Sequence, residues 1–183
     1  SVSGYVQFPG NYVVNPSMSI SNILILSGGI NETGTLRNIL LQRNELIVDT
    51  LDMYPSITGI GIAKQNSIRE GDIIIVPPRN EIVAVTGDVL MPAYYELKQN
   101  DNASTILEYS GINNNKTTDH ALLVKFDNQN KYISRNNFIN TTLNNQDSLI
   151  VPIKYSLKKS RKSQNLKSTK KSMLLPERFI PGV

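Results

Sequence analysis

The sequence predicts an α+β fold in two tandem modules, each a mixed sheet with one packed helix, followed by a basic C-terminal tail. Three observations predict it: the first half is repeated in the second half, each half has the same order of strand and helix patterns, and the composition becomes basic after the second half. We expect the modules to span 1–79 and 80–154, with 155–183 as a flexible basic tail.

The repeat is visible as a direct alignment of the chain on itself. A shift of 83 positions places Val2–Gly28 on Val85–Gly111 without a gap, and ten of the 27 positions are identical. Later the shift falls to 75, where Gly71–Pro77 aligns with Gln146–Pro152. The first copy therefore carries about eight extra residues, which we place around Ser56–Ala63.

Each copy begins with a predicted hairpin. Apolar and polar positions alternate through Val2–Gln7, which is typical of a strand. Phe8–Asn11 then has Pro at its second position and Gly at its third, which favours a type II turn with positive φ at Gly10. We expect Tyr12–Val14 to return as the partner strand.

A helix follows in both copies. In the first copy Ser19 is a suitable N-cap, and Gly28-Gly29 ends the apolar pattern. In the second copy Asn102 or Asp101 is the expected N-cap, and Gly111 is the stop. The matching caps and stops predict a short helix at the same place in each module.

Further strands complete each unit. Asn38–Leu41 and His120–Phe126 have strand composition, and each unit closes with Asp, an apolar run and Pro, at Asp72–Pro77 and Asp147–Pro152. Four apolar residues in a row predict a strand that is covered on both faces. A helix packed across such a mixed sheet is a β-grasp arrangement.

The residues of both copies resemble the SLBB domain, the soluble ligand-binding β-grasp. The first copy matches through Val2, Gly4, Val6, Pro9, Gly10, Tyr12, Ser21, Ile23, Leu24, Gly28, Gly29 and Gly71–Pro77. The second matches through Gly87, Val89, Pro92, Tyr95–Leu97, Gly111 and Asp147–Pro152, and departs at Ala93, Ile112 and Gln146. The segment Gly87–Leu97 is similar to the second SLBB domain of bacterial polysaccharide export proteins.

The resemblance implies a function in polysaccharide export. Proteins of that kind form rings in the periplasm and outer membrane, and they pass capsular or extracellular polysaccharide. It implies a non-enzymatic protein located in the periplasm and associated with the outer membrane. Its partners would be polysaccharide, other subunits of an export complex, or both, and the full-length protein would be a homo-oligomer. Scaffolding and glycan binding are both open at this point.

Composition disfavours an enzyme. The chain has one His and no Cys, and its acidic residues show no metal-ligand spacing. We therefore predict no catalytic residue, no metal site and no cofactor. No apolar run reaches the roughly 20 residues that a membrane helix needs, so we predict no transmembrane segment in this chain.

Exposed aromatic residues are the natural platform for a glycan, because the apolar faces of sugars pack on aromatic rings. Tyr94 and Tyr95 are adjacent on a predicted strand and must point to opposite faces. We expect Tyr95 in the core, and Tyr94 and Tyr5 on the surface. Three polar residues could add hydrogen bonds to a ligand: Arg43, Arg79 and Asp88. The alternative is that all five are ordinary strand aromatics and surface charges.

The tail suggests a second class of function. From Lys154 onward the chain has nine Lys or Arg and one acid, a net charge of +8, against −4 for the rest. This is typical of a solvated tail, or of a contact with an anionic partner. The alternative function is therefore a DNA-uptake or other nucleic-acid-binding SLBB module. Thr58–Lys64 is similar to a helix-hairpin-helix DNA motif, but the residues before it show no helical pattern.

Overall fold

The computed structural model describes residues 1–62, 67–112, 119–127 and 129–152. The predicted tail, 155–183, lies outside these ranges. Within them the chain forms nine strands, three α-helices and one 3₁₀ helix. The elements in chain order are β1 (Val2–Gly4), α1 (Ile20–Leu26), β2 (Ile39–Arg43), β3 (Leu46–Leu51), α2 (Tyr54–Ile57), β4 (Ile73–Val76), β5 (Ile82–Gly87), β6 (Ala93–Glu96), α3 (Ala103–Tyr109), β7 (His120–Val124), β8 (Asn130–Ser134), the 3₁₀ helix (Arg135–Asn140) and β9 (Ser148–Val151).

The strands form two mixed sheets. The first has the order β1-β4-β2-β3, and the second has the order β6-β5-β9-β7-β8. β1 runs parallel to β4, β5 runs parallel to β9, and the other pairs are antiparallel. The predicted α+β class is therefore confirmed. The module boundaries stay a prediction.

Helix caps stand where the sequence places them. The side chain of Ser19 accepts the backbone N–H of Asn22 at 3.2 Å, which caps α1. The side chain of Asn102 accepts the backbone N–H of Thr105 at 3.0 Å, which caps α3. Each helix buries one apolar face against its sheet, with Ile23 and Ile106 among the buried residues.

The same buried carboxylate contact occurs in both sheets. Asp72 and Asp147 are 4% and 1% exposed, and each accepts the backbone N–H of the residue three positions earlier. Asp72 also pairs with Arg43, and Asp147 pairs with Lys125 at 3.0 Å. The turn that precedes the last strand of each sheet is therefore fixed by a hydrogen-bonded aspartate, as expected from the sequence.

Two separate clusters form the core. The larger one gathers residues from α3 and the second sheet, and the smaller one gathers residues from α1 and the first sheet. Tyr54 on α2 belongs to the larger cluster, and Leu36 packs against it. Two residues of the first half therefore pack in the core of the second half.

The predicted first hairpin is wrong in two respects. Gly10 does not have positive φ, so the type II turn is not formed. Tyr12–Val14 is not a strand, since pairing is limited to one bridge between Val2 and Gly10. In the second sheet the equivalent strand, β6, pairs with four residues of β5.

Two further expectations are corrected. β4 and β9 are not covered fully on both faces, because only alternate residues such as Ile74 and Val76 are buried. The helices pack on one face of each sheet, and the other face is half-buried. The region before Thr58 does contain a short helix, α2, whose Pro55 lies in the first turn, where no intrahelical N–H bond is lost. Ala63 and Lys64 of the DNA-like motif lie outside the described residues.

Candidate functional site

Two of the predicted site residues meet at one loop of the first sheet. Tyr5 follows β1, and its carbonyl oxygen accepts the backbone N–H of Asn31 at 2.9 Å. The backbone N–H of Arg79 donates to the carbonyl of Thr33 in the same loop at 2.8 Å. The Tyr5 side chain is 41% exposed, and Arg79 is exposed. Both side chains are therefore accessible beside this loop.

Tyr94 lies on the second sheet. It is 59% exposed on β6, whereas Tyr95 is buried, so the two point to opposite faces as expected. Glu96, two residues further along the strand, accepts the backbone N–H of Asn80 at 3.0 Å. Asn80 is next to Arg79, so hydrogen bonds connect the strand of Tyr94 with the loop beside Tyr5. We call this set the junction surface: Tyr5, Arg79 and Tyr94.

Arg43 does not belong to the junction surface. Its guanidinium donates to both carboxylate oxygens of Asp72, at 2.8 and 2.7 Å, and to the carbonyl of Ser67 at 3.0 Å. These hydrogen bonds from Arg43 lower the pKa of Asp72. The pair lies at the start of β4, whereas Tyr5 bonds to Val76 at its end, about 13 Å away along the strand. Arg43 therefore stabilises the turn before β4, and its role in ligand binding stays a prediction.

Asp88 is also placed elsewhere. It follows β5, is half-buried, and its backbone N–H donates to the carbonyl of Val151 at 2.9 Å. Along β5, Glu96 pairs with Ile82 and Tyr94 pairs with Ala84. Asp88 lies four residues beyond Ala84, which is roughly 14 Å along the strand. Tyr5, Arg79 and Tyr94 are therefore connected through one loop and Glu96, and a binding role for the five predicted residues stays a prediction.

A polar joint connects the two halves of the chain, and the sequence did not predict it. Its acidic centre is the carboxylate of Glu96, which is 4% exposed. This carboxylate accepts the hydroxyl of Thr35 and the backbone N–H groups of Leu36 and Asn80, the latter two at 3.0 Å. Three donors, from Thr35, Leu36 and Asn80, therefore hydrogen-bond to the Glu96 side chain on β6. They satisfy a charge that would otherwise be costly to bury.

Arg37 is the cationic centre of the joint, and it is 2% exposed. Its guanidinium donates to the Glu96 carbonyl at 2.9 Å and forms ion pairs with Asp52 at 3.2 Å and with Asp101. Burial alone would lower the pKa of Arg37, but the hydrogen bond and charge of Asp101, with the charge of Asp52, outweigh it and raise the pKa. The cation therefore stays charged inside the joint.

Two tyrosine rings contact the Arg37 guanidinium, and a third tyrosine ring contacts one of these two. The Arg37 guanidinium lies 4.6 Å from the ring centre of Tyr54 and 5.1 Å from that of Tyr109. The Tyr54 hydroxyl accepts the backbone N–H of Glu96 at 2.7 Å, and its ring meets Tyr95 edge-on. Burial raises the pKa of Tyr54, and burial raises the pKa of Tyr95 to about 12. Hydrogen bonds, ion pairs and ring contacts thus all join the two halves. We call this set the joint: Thr35, Leu36, Arg37, Asp52, Tyr54, Asn80, Glu96, Asp101 and Tyr109.

The sequence carries little sign of this joint. Arg37 and Glu96 are 59 positions apart, and no periodic pattern connects such distant residues. One available signal is that the first half has extra residues without a counterpart in the second. Tyr54 lies just before the segment where we place them.

The groups at the junction surface are suited to binding a ligand. In the part of the chain that the structure describes, no three His, Cys, Asp or Glu residues are placed to hold a metal ion. No helix among the described residues has the length and apolar character needed to cross a membrane. The junction surface offers two exposed rings and an exposed guanidinium, which suits stacking and hydrogen bonding to a polar ligand with apolar faces.

Comparison with known proteins agrees with the fold. Residues 1–49 match the SLBB domain. Two curated relatives, both polysialic acid transport protein KpsD of Escherichia coli, are 31% identical over 99 residues. The alignment covers 54% of this chain and 18% of each relative, so the chain spans less than a fifth of their length. The resemblance to SLBB-containing polysaccharide export proteins is confirmed, and the SLBB character of the second module stays a prediction.

Proposed function

We propose that this chain is a non-enzymatic part of a polysaccharide export protein, in the periplasm and associated with the outer membrane. In this proposal the junction surface contacts the polysaccharide during transport. The observation that carries it is the exposure of Tyr5, Arg79 and Tyr94, together with the hydrogen bonds that link the Tyr5 loop to Arg79 and Asn80 to Glu96. The SLBB match and the polysaccharide transport relatives support the same class of function.

The physical basis is a rigid, partly aromatic surface. Tyrosine rings offer apolar faces to sugar rings, and a guanidinium donates several hydrogen bonds to hydroxyl or carboxylate oxygens. The joint fixes β6 relative to the first sheet, so little conformational entropy is lost when a ligand spans both. Contacts of this size are weak, which suits a chain that must pass rather than stay bound.

Subunit contacts are the second part of the proposal. In the full-length protein we expect a homo-oligomer, with modules 1–79 and 80–154 acting as one stiff building block. The buried Arg37 and Glu96 support this, because separating the halves would expose or strand both charges. The scaffold and the glycan contact are compatible, since the joint is buried and the junction surface is exposed.

The test is a titration of labelled polysaccharide from the source organism against this chain. Replacing both rings, Tyr5→Ala with Tyr94→Ala, should weaken binding roughly tenfold or more, because each ring contact is worth about 1 kcal/mol. The fold should survive, as both side chains are exposed. Val13→Ala is a matched control, since Val13 is fully exposed and apolar but lies outside the junction surface. Binding that is unchanged in the double variant would contradict glycan contact at this surface.

The basic tail favours one alternative, a nucleic-acid-binding module. Its net charge of +8 is suited to a polyanion. Labelled duplex DNA should be titrated in parallel against the whole chain and a version that ends at Pro152. DNA binding by the whole chain with no glycan binding by either version would favour the alternative over polysaccharide export.

A further inference from the structure

The second sheet has an outer face, on the side away from α3, that carries two exposed tyrosine rings. Tyr94 on β6 is 59% exposed, and Tyr132 on β8 is 71% exposed. These strands are the two edges of the sheet. Tyr132 was not singled out from the sequence, and the structure places it on the same face as Tyr94.

The register shows what lies between the two rings. Tyr94 pairs with Ala84, which pairs with Ser148. Tyr132 pairs with Leu122, which pairs with Ile150. These partners alternate with the core residues of their strands and are half-buried. Thr86 pairs with Ile150 and lies on the same face. We call these seven residues the outer face: Tyr94, Ala84, Thr86, Ser148, Ile150, Leu122 and Tyr132.

The size of the outer face fits a small or thin ligand. Five strands at the usual spacing separate the two edge tyrosines by about 19 Å. With two rows of residues along the strands, the area is roughly 300 Å², well below the ~800 Å² per partner of a stable protein interface. A run of several sugar rings fits these dimensions better than a second protein.

The outer face is also uncharged. All seven of its residues lack a formal charge, and the nearby carboxylate of Glu96 is occupied by Thr35 and Leu36. Recognition would therefore rest on ring stacking at the ends and on the hydroxyl groups of Thr86 and Ser148 between them. The ring of His120 meets Tyr132 edge-on at 5.9 Å, which restricts the orientation of that tyrosine.

We propose that the outer face binds a run of pyranose sugars, stacked on Tyr94 and Tyr132 and recognised through uncharged ring faces rather than through charge. This inference rests on the proposed function and adds a second binding residue, Tyr132, and a ligand chemistry. Tyr94 belongs to both the junction surface and the outer face, so the two proposed glycan contacts share one residue.

The experiment is a titration of the isotope-labelled whole chain with β-linked glucose oligomers, from disaccharide to hexasaccharide, followed by amide chemical shifts. We expect shifts in β5, β9 and β7, and an affinity that rises until the oligomer reaches from Tyr94 to Tyr132. Tyr132→Ala should weaken the longest oligomer about tenfold, whereas Tyr132→Phe should keep most of the affinity. Added salt should change little, because screening acts on charges.

Leu46→Ala is the matched control, since Leu46 is 70% exposed on β3 of the other sheet, and it should leave affinity unchanged. Circular dichroism of each variant checks the fold. Affinity that is equal in wild type and Tyr132→Ala would overturn the inference. Binding of oligosialic acid that salt abolishes, together with no binding of neutral oligomers, would also overturn the inference. That result would still agree with the proposed export function. Self-association that is lost in Tyr132→Ala would show a contact between copies and would also overturn the inference. If no oligomer binds, the inference about the outer face is also overturned. The proposed export function would then be tested separately, by an export assay of the full-length protein carrying Tyr5→Ala and Tyr94→Ala.

Discussion

At the residue scale, two glycines allow neighbouring backbone segments of each sheet to approach closely. Gly87 has φ of 98°, and a Cβ there would lie 1.9 Å from the carbonyl oxygen of Val151. Gly4 has the same relation to Val76, at 2.1 Å. Gly87→Ala should therefore lower the free energy of unfolding by about 3 kcal/mol or more, since it adds a backbone clash to a strained φ.

Urea unfolding measures this loss, and Gly71→Ala is its control. Gly71 also has positive φ, at 83°, but a Cβ there meets nothing within 4 Å. Gly71→Ala should lower the free energy of unfolding only by the cost of a positive φ, about 1–2 kcal/mol. Equal losses in the two variants would show that the contact with Val151 relaxes freely.

A second residue-scale prediction concerns acid. Arg43 lowers the pKa of Asp72 in the folded protein, so Asp72 stabilises the fold above its unfolded pKa and loses this effect as pH falls through its folded pKa. Asp72→Asn should therefore be less stable than wild type at neutral pH. The difference should shrink in strong acid, where Asp72 is protonated in both states.

Urea unfolding at several pH values tests this expectation. Glu70→Gln serves as the control because Glu70 is an exposed acid in the same turn. Its effect on stability should be small and should not follow the Asp72 curve. A gap between wild type and Asp72→Asn that stays constant down to strong acid would rule out the linkage.

At the scale of elements, the joint holds β6 and α3 against the turn before β2 and the residues after β3. Arg37→Met should lower the free energy of unfolding by about 3–5 kcal/mol, because Asp52 and Asp101 would lose their buried cation. Replacement of the exposed Arg79 by Met should change stability by less than about 0.5 kcal/mol.

Denaturation followed by near-ultraviolet circular dichroism reports on this joint through its tyrosines. In Arg37→Met we expect the tyrosine signal to weaken even before global unfolding, since Tyr54 and Tyr109 lose their shared cation. If Arg37→Met is as stable as wild type, the joint orients the two halves without adding to the free energy of unfolding.

At the scale of the whole molecule, charge divides the chain. The residues before Lys154 carry −4 and those from Lys154 onward carry +8. A version that ends at Pro152 should therefore lose affinity for duplex DNA and the steep salt dependence of that affinity. Its affinity for polysaccharide should be unchanged, because the junction surface and the outer face precede the tail. Fluorescence anisotropy at low and high salt measures both, and loss of polysaccharide binding on truncation would place recognition in the tail.

The sequence by itself determined the α+β class, the helix caps and most strands. These features depend on local order: alternation in β1, the cap at Asn102 and the apolar runs of β4 and β9. The opposite burial of Tyr94 and Tyr95 also follows from strand geometry alone. Local backbone preference and periodic burial act between near neighbours, so they can be read without the fold.

Only the tertiary structure decided which surfaces could be functional. It paired Arg43 with Asp72, placed Asp88 at the end of β5 away from Glu96, and placed Tyr132 on the outer face of the second sheet. It also joined Arg37 to Glu96, and it put Tyr54 of the first half into the core of the second. These contacts link residues that are distant along the chain, and their free energy depends on burial and geometry that exist only once both sheets have formed.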